Sequence, residues 1–185
     1  MPRFPLYLSL LALSAQLATA QTVIVDNVAP DFSIVSGAGW FATSNPGSWP
    51  TTGPTNTLLN LGGSGSEVVR WTPTLPADGN YVVSAWWVPS SNRSTASPFT
   101  INGLDGASTV FANQRIGANQ WNAIGTFRFA AGSSGNVTLS DAVDPSLFVA
   151  ADALRFEFES PALVCQTAGT ILPTLGPNSG CSSSL

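Results

Sequence analysis

The chain has 185 residues, with six basic side chains against ten acidic, a formal charge of −4 and no histidine. All six basic residues are arginine, and only 9% of the chain is charged. Too little positive charge is present to make the phosphate contacts that nucleic acids or anionic membranes demand, and the usual catalytic bases, histidine and lysine, are both missing.

Taken in order, the first element is a leader. MPRF carries one positive charge at Arg3, LYLSLLALSAQLA is apolar, and Ala18-Thr19-Ala20 is a small-x-small cleavage site before Gln21. The apolar run is shorter than the roughly 20 residues that span a bilayer. Residues 1–20 are therefore expected to be a signal peptide, with the protein secreted, extracellular and beginning at Gln21. Losing Arg3 leaves five basic against ten acidic residues, a net charge of −5.

Nine short runs rich in β-branched and aromatic residues come next: TVIVDN, DFSIVSG, SEVVRWTP, GNYVVSAWWV, SPFTING, STVFANQ, QWNAIGTFRFA, GNVTLSD and FVAADALRFEF. Turn clusters such as Pro76-Ala77-Asp78-Gly79 and Leu104-Asp105-Gly106 separate them. The spacing predicts an all-β fold, a jelly-roll-type antiparallel β-sandwich over 21–159, with an irregular tail over 160–185. Residues 45–57, rich in Pro, Gly, Ser and Thr, are expected to form one long loop. Cys165 and Cys181 are the only cysteines, and in an oxidising compartment they are expected to close the tail as a disulfide. Asn92-Arg93-Ser94 and Asn136-Val137-Thr138 are N-glycosylation sequons.

Strand side chains alternate between faces, so each run can be sorted. Tyr81, Val83, Ala85 and Trp87 form an apolar set and are expected in the core, which leaves Trp86 on the mixed face. The same test sends Trp121, Ala123, Gly125, Phe127 and Phe129 inward. It also sends Leu154, Phe156 and Phe158 inward, with Arg155 and Glu157 outward. Asp152 then points inward too, and a buried carboxylate needs backbone donors, an arginine or a cation, unless the strand bends before Leu154.

No carboxylate pair sits in a motif specific enough to nominate catalysis, so no enzyme activity and no cofactor are expected. A metal site would have to be built of oxygen ligands, with calcium the fitting ion and Asp26, Asn27 and Asp152 the nearest candidates. No calcium-loop motif is present, turn and ladder hydrogen bonding is the commoner role for such residues, and no metal site is nominated. Carbohydrate binding fits the composition better, because sugars stack apolar C–H faces on aromatic rings beside planar polar groups. Trp86, close in sequence to Asn92 and Arg93, leads the candidates, with Trp49 and Trp40 behind it. Each tryptophan also suits a core, and Asn92 also suits a glycan.

The runs VIVDN, RWTPTLPADGNYVVSAWWVPSSNRSTASPFTI, VFANQ, QWNAIGTFRFAAGSSGNVTLSD and VAADALRF, in this order, resemble the golvesin/xanthan-lyase carbohydrate-binding-like domain (golvesin C-terminal-like domain) over Val23 to Phe158. The resemblance implies a β-sandwich module of secreted enzymes, named for carbohydrate binding, and transfers no agreed ligand residues. The chain is therefore expected to be a non-catalytic module that binds a cell-wall or matrix polysaccharide, standing alone or beside a separate secreted enzyme. The alternative is a secreted structural or adhesion protein whose sandwich makes protein–protein contacts.

Overall fold

The computed structural model describes residues 21–50 and 56–161. The expected signal peptide and the Cys165–Cys181 bridge lie outside the described residues. Twelve strands form: β1 (Thr22–Val25), β2 (Phe32–Ser36), β3 (Phe41–Thr43), β4 (Thr57–Leu61), β5 (Val68–Trp71) and β6 (Gly79–Ala85). The remainder are β7 (Ser97–Gly103), β8 (Gly106–Ala112), β9 (Asn122–Phe129), β10 (Asn136–Ser140), β11 (Phe148–Ala151) and β12 (Leu154–Pro161). Each of the nine runs becomes a strand, and the last is broken at Asp152-Ala153 into β11 and β12. β3 and β4 were not expected. One is only three residues long, and the other, TLLNL, shows no alternation. β4 claims Thr57 from the expected loop, and β12 runs two residues past the expected boundary at 159, pairing Ser160 with Asn80 and Pro161 with Gly79 after a register shift.

The strands make three antiparallel sheets, ordered β1-β12-β6-β9, β2-β5-β10-β7-β8 and β11-β4-β3, in a sandwich-like arrangement. One buried cluster draws on all three: Val25, Tyr81, Val83, Phe129, Leu154 and Phe156 from the first, Val69, Trp71, Phe99, Ile101, Val137 and Leu139 from the second, Leu59 and Val149 from the third. Aromatic edges interlock within it, with Tyr81 and Phe158 T-shaped at 5.4 Å and Phe129 and Phe156 at 5.7 Å. Gln114, fully buried just after β8, ties the layers together. Its Oε1 accepts from Ser97 Oγ (2.9 Å) and from the Ala150 N–H (2.8 Å), and its Nε2 donates to the Ala150 carbonyl (2.7 Å).

Alternation holds along β6 and β12 but fails halfway along β9. Val83 pairs with Gly125 while Ser84 pairs with Ala123, so Ile124 is an extra residue, a β-bulge. Gly125 takes φ +147° there, and a Cβ on it would meet the Phe127 ring at 2.7 Å. A bulge exchanges faces for every residue before it. Phe127 and Phe129 stay on the core side, Ile124 turns inward, and Ala123 and Trp121 turn outward, against the expectation that both were core.

Candidate functional site

The bulge brings Trp121 to the face on which Trp86 already stands. Trp86 follows β6 directly, with its N–H on the Ala153 carbonyl and its Nε1 donating to the Gly47 carbonyl at 2.7 Å. Trp49 completes a three-ring cluster: Trp49–Trp121 centroids lie 4.7 Å apart, Trp49–Trp86 5.2 Å and Trp86–Trp121 5.4 Å, at interplanar angles of 54–70°. Trp86 is the floor of this cluster at 6% exposure. Trp49 and Trp121 are half-buried and present the free ring surface. The Arg155 guanidinium, on the same outer face of β12, stands 5.0 Å over the Trp121 ring and pairs with Glu157 at 2.7 Å.

The segment carrying Trp49 is tied from below. Ser48 N–H and Oγ both donate to the Asn45 carbonyl, and Ser48 Oγ meets Thr57 Oγ1 at 2.8 Å. The Trp49 N–H donates to both carboxylate oxygens of Asp152 (3.1 and 3.3 Å), and Thr57 Oγ1 donates to Asp152 Oδ2 at 2.8 Å. So the inward Asp152, in the break between β11 and β12, is met by a backbone donor and a hydroxyl. Its carboxyl is pushed up to about 7, first by burial and also by the charge of Asp26, with the two donors opposing. Asp26 is raised as well, mainly by burial.

The other sequence-nominated residues lie elsewhere. Trp40 is 7% exposed, belongs to the main core, and has no free face to stack on a sugar. Arg93 is 4% exposed; its Nη1 donates to Asn92 Oδ1 (2.7 Å), its carbonyl accepts from Arg115, and its backbone bridges Phe148. None of these partners touches the tryptophan cluster, so closeness in sequence did not bring Asn92 and Arg93 to Trp86. Burial pulls the Arg93 guanidinium below its ordinary value, since no carboxylate faces it. Of the sequon residues, Asn92 is exposed, whereas Asn136 begins β10 and its Oδ1 accepts from Asn102 at 2.8 Å. On the core side of the same end of β6, Trp87 donates Nε1 to the Ile116 carbonyl (2.7 Å) and floors a groove of about 270 Å³ between β8 and β9. Phe111 and Ile116, 69% and 64% exposed, rim it.

Sequence reasoning missed Trp121 as a surface ring because alternation was carried unbroken across Gly125. The signal was available: a glycine inside a strand run marks a bulge. Arg155 was rightly placed outward, but nothing in its neighbourhood in sequence tied it to a tryptophan thirty-four residues earlier.

Two xanthan lyases resemble this chain. Xanthan lyase from Bacillus sp. (strain GL1) is 38% identical over 96 residues, which is 51% of this chain but 10% of that protein. The solved structure of Paenibacillus xanthan lyase superposes with a TM-score of 0.65 at 31% identity, over 76% of this chain and 13% of the other. This chain thus spans about a tenth of the length of the lyases it matches. Residues 23–158 match the golvesin C-terminal domain, and on that match the chain belongs to the golvesin C-terminal domain family.

Proposed function

We propose that the protein is an exported, non-catalytic carbohydrate-binding module of the jelly-roll type, whose Trp49 and Trp121 form a stacking platform for a polysaccharide. The observation that carries this reading is the cluster itself: two half-buried indoles on a tryptophan floor, with Arg155 and Glu157 beside them. Aromatic planes next to fixed planar polar groups suit a sugar's two kinds of surface. The related xanthan lyases are polysaccharide-acting by name and lend the substrate class support. Trp86 serves as the support of the platform. Asn92 and Asn136 belong to this reading as glycan-bearing positions, and a separate secreted enzyme as a partner.

The test is retention of the secreted chain in native gels cast with cell-wall, matrix or microbial polysaccharides. Retardation by at least one gel, lost in Trp49→Ala and Trp121→Ala while Phe111→Ala is retained, is the expected result. The groove rimmed by Phe111 and Ile116 supports the second reading, a protein contact, because exposed apolar residues beside a cleft suit a partner surface. No retardation in any gel, with a protein complex that Phe111→Ser disrupts, decides for that reading.

A further inference from the structure

The tryptophan cluster stands at one end of the outward face of the β1-β12-β6-β9 sheet, and that face carries no unmatched cation. Arg155 on β12 and Arg128 on β9 are the arginines within its four strands. Arg128 pairs with Asp105 at 2.8 Å and Arg155 with Glu157 at 2.7 Å, and these are the ion pairs among the described residues. The chain's ten carboxylate side chains all lie in the described residues, yet Arg70 on β5, Arg93 beside β11 and Arg115 after β8 pair with none of them. Charge matching is thus confined to the arginines of this one sheet. Arg155 reaches across β6 to make its contacts. Its backbone partner on β6 is Ser84, Ser84 in turn pairs with Ala123 on β9, and the Arg155 guanidinium stands 5.0 Å over the Trp121 ring. Arg155 Nε is buried without a partner, so the bond from Nη2 to Glu157 is what answers its charge. Both side chains keep some surface, 24% for Arg155 and 39% for Glu157, so a ligand lying on Trp121 can touch the pair.

We propose that the platform takes a neutral polysaccharide, and that Glu157 sets this preference by occupying the Arg155 guanidinium. The inference rests on the reading of the tryptophan cluster as a sugar platform and adds to it the class of sugar. A free guanidinium is the side chain best shaped for a carboxylate, which it grips with two parallel N–H bonds. Left unpaired beside a stacking ring, Arg155 would draw in the carboxylate of an acidic sugar. With Nη2 already on Glu157, an incoming carboxylate loses the two-pronged grip and meets a like charge beside the one cation at the cluster. A hydroxyl meets no such penalty. It can donate to a Glu157 oxygen or accept from a remaining Arg155 N–H, so the pair sets an acceptor and a donor side by side for neighbouring sugar hydroxyls. Glu159, exposed where the register of β12 shifts, adds a negative charge that no arginine pairs.

The probes are two neutral polymers, a β-glucan and a galactomannan, and two uronate polymers, polygalacturonate and alginate, each cast in native gels at about 0.15 M salt to shorten the reach of net charge to about 8 Å. The secreted chain should be retarded by a neutral polymer, with apparent affinity for the uronates weaker by about tenfold or more. Glu157→Gln keeps the shape of the side chain and frees the Arg155 charge. It should raise uronate affinity by about tenfold and leave retention by the neutral polymer largely as it was. Glu159→Gln removes the same charge away from the pair and should leave uronate retention as it is in the wild type. Wild-type retention by a uronate polymer that equals or exceeds that by the neutral ones, and that Trp121→Ala abolishes, overturns this proposal and leaves the platform standing. That comparison needs no variant of the pair to fold. A Glu157→Gln chain that gains nothing toward uronates, or a Glu159→Gln chain that gains as much, also overturns it. If none of the four polymers retards the wild type, the proposal falls together with the platform.

Discussion

Asp152 shows how one buried carboxyl makes the fold sensitive to pH. Its ordinary value is 3.8, and in the folded protein it titrates at about 7. Across that window the folded chain holds a proton that the unfolded chain has released. The associated stability is complete below about pH 4, declines as pH rises, and is gone above about pH 7. One carboxyl displaced this far contributes at most roughly 4 kcal/mol. Urea denaturation should therefore give higher stability at pH 4.5 than at pH 7.5, and Asp152→Asn should flatten the difference; a flat wild-type profile contradicts the assignment. The paired tryptophans give a second test at this scale. Trp86→Ala and Trp87→Ala should each cost about 3–5 kcal/mol, because both rings are buried and hydrogen-bonded, although on opposite faces. Trp121→Ala, half-exposed, should cost only about 1 kcal/mol. Near-neutral Trp86→Ala would restore it as a surface ring.

β9 is the element on which the site depends, because its bulge decides which face Trp121 joins. Gly125 holds a backbone conformation other residues avoid, with the Phe127 ring where a Cβ would sit. Gly125→Val should cost about 2–4 kcal/mol in denaturant. It should also shift tryptophan emission to the red as Trp121 leaves its neighbours, whereas unchanged emission would mean the bulge survives without glycine. The same strand marks how far the sequence could be read. Period-two alternation correctly sorted Tyr81, Val83, Ala85, Leu154, Phe156 and Phe158, because β6 and β12 pair in register through those residues, and it carried on to Trp87 just past the end of β6. It mis-sorted Trp121 and Ala123 because one inserted residue inverts everything upstream, an effect set by pairing with β6. β3 and β4 were missed because their strand character comes from pairing with each other and with β11. The tie from Trp49 to Asp152 spans 103 residues, a separation no local pattern encodes.

At the scale of the whole molecule, charge separates the ways of binding. The chain carries −4 overall, and both ion pairs among its described residues have at least one solvent-exposed partner. A polysaccharide held by stacking gains little from Coulomb attraction, and an acidic one is repelled by the net charge. Retention of an acidic polysaccharide should therefore hold or strengthen between 0.05 and 0.5 M salt, on the order of a Debye length falling from above 10 Å to below it; steep weakening would point to an arginine-led ionic contact instead. The sheets also have a join that can be timed. The Ala150 N–H is held by the Gln114 side chain and by no strand carbonyl, so its hydrogen-exchange rate reports the parting of the three-stranded sheet from the end of β8. If the layers separate only when everything unfolds, Ala150 exchanges as slowly as Val83 at the centre of β6. If they come apart on their own, Ala150 becomes the fast amide in an otherwise slow core, and Gln114→Leu leaves the slow amides of β6 and β12 untouched while releasing that one.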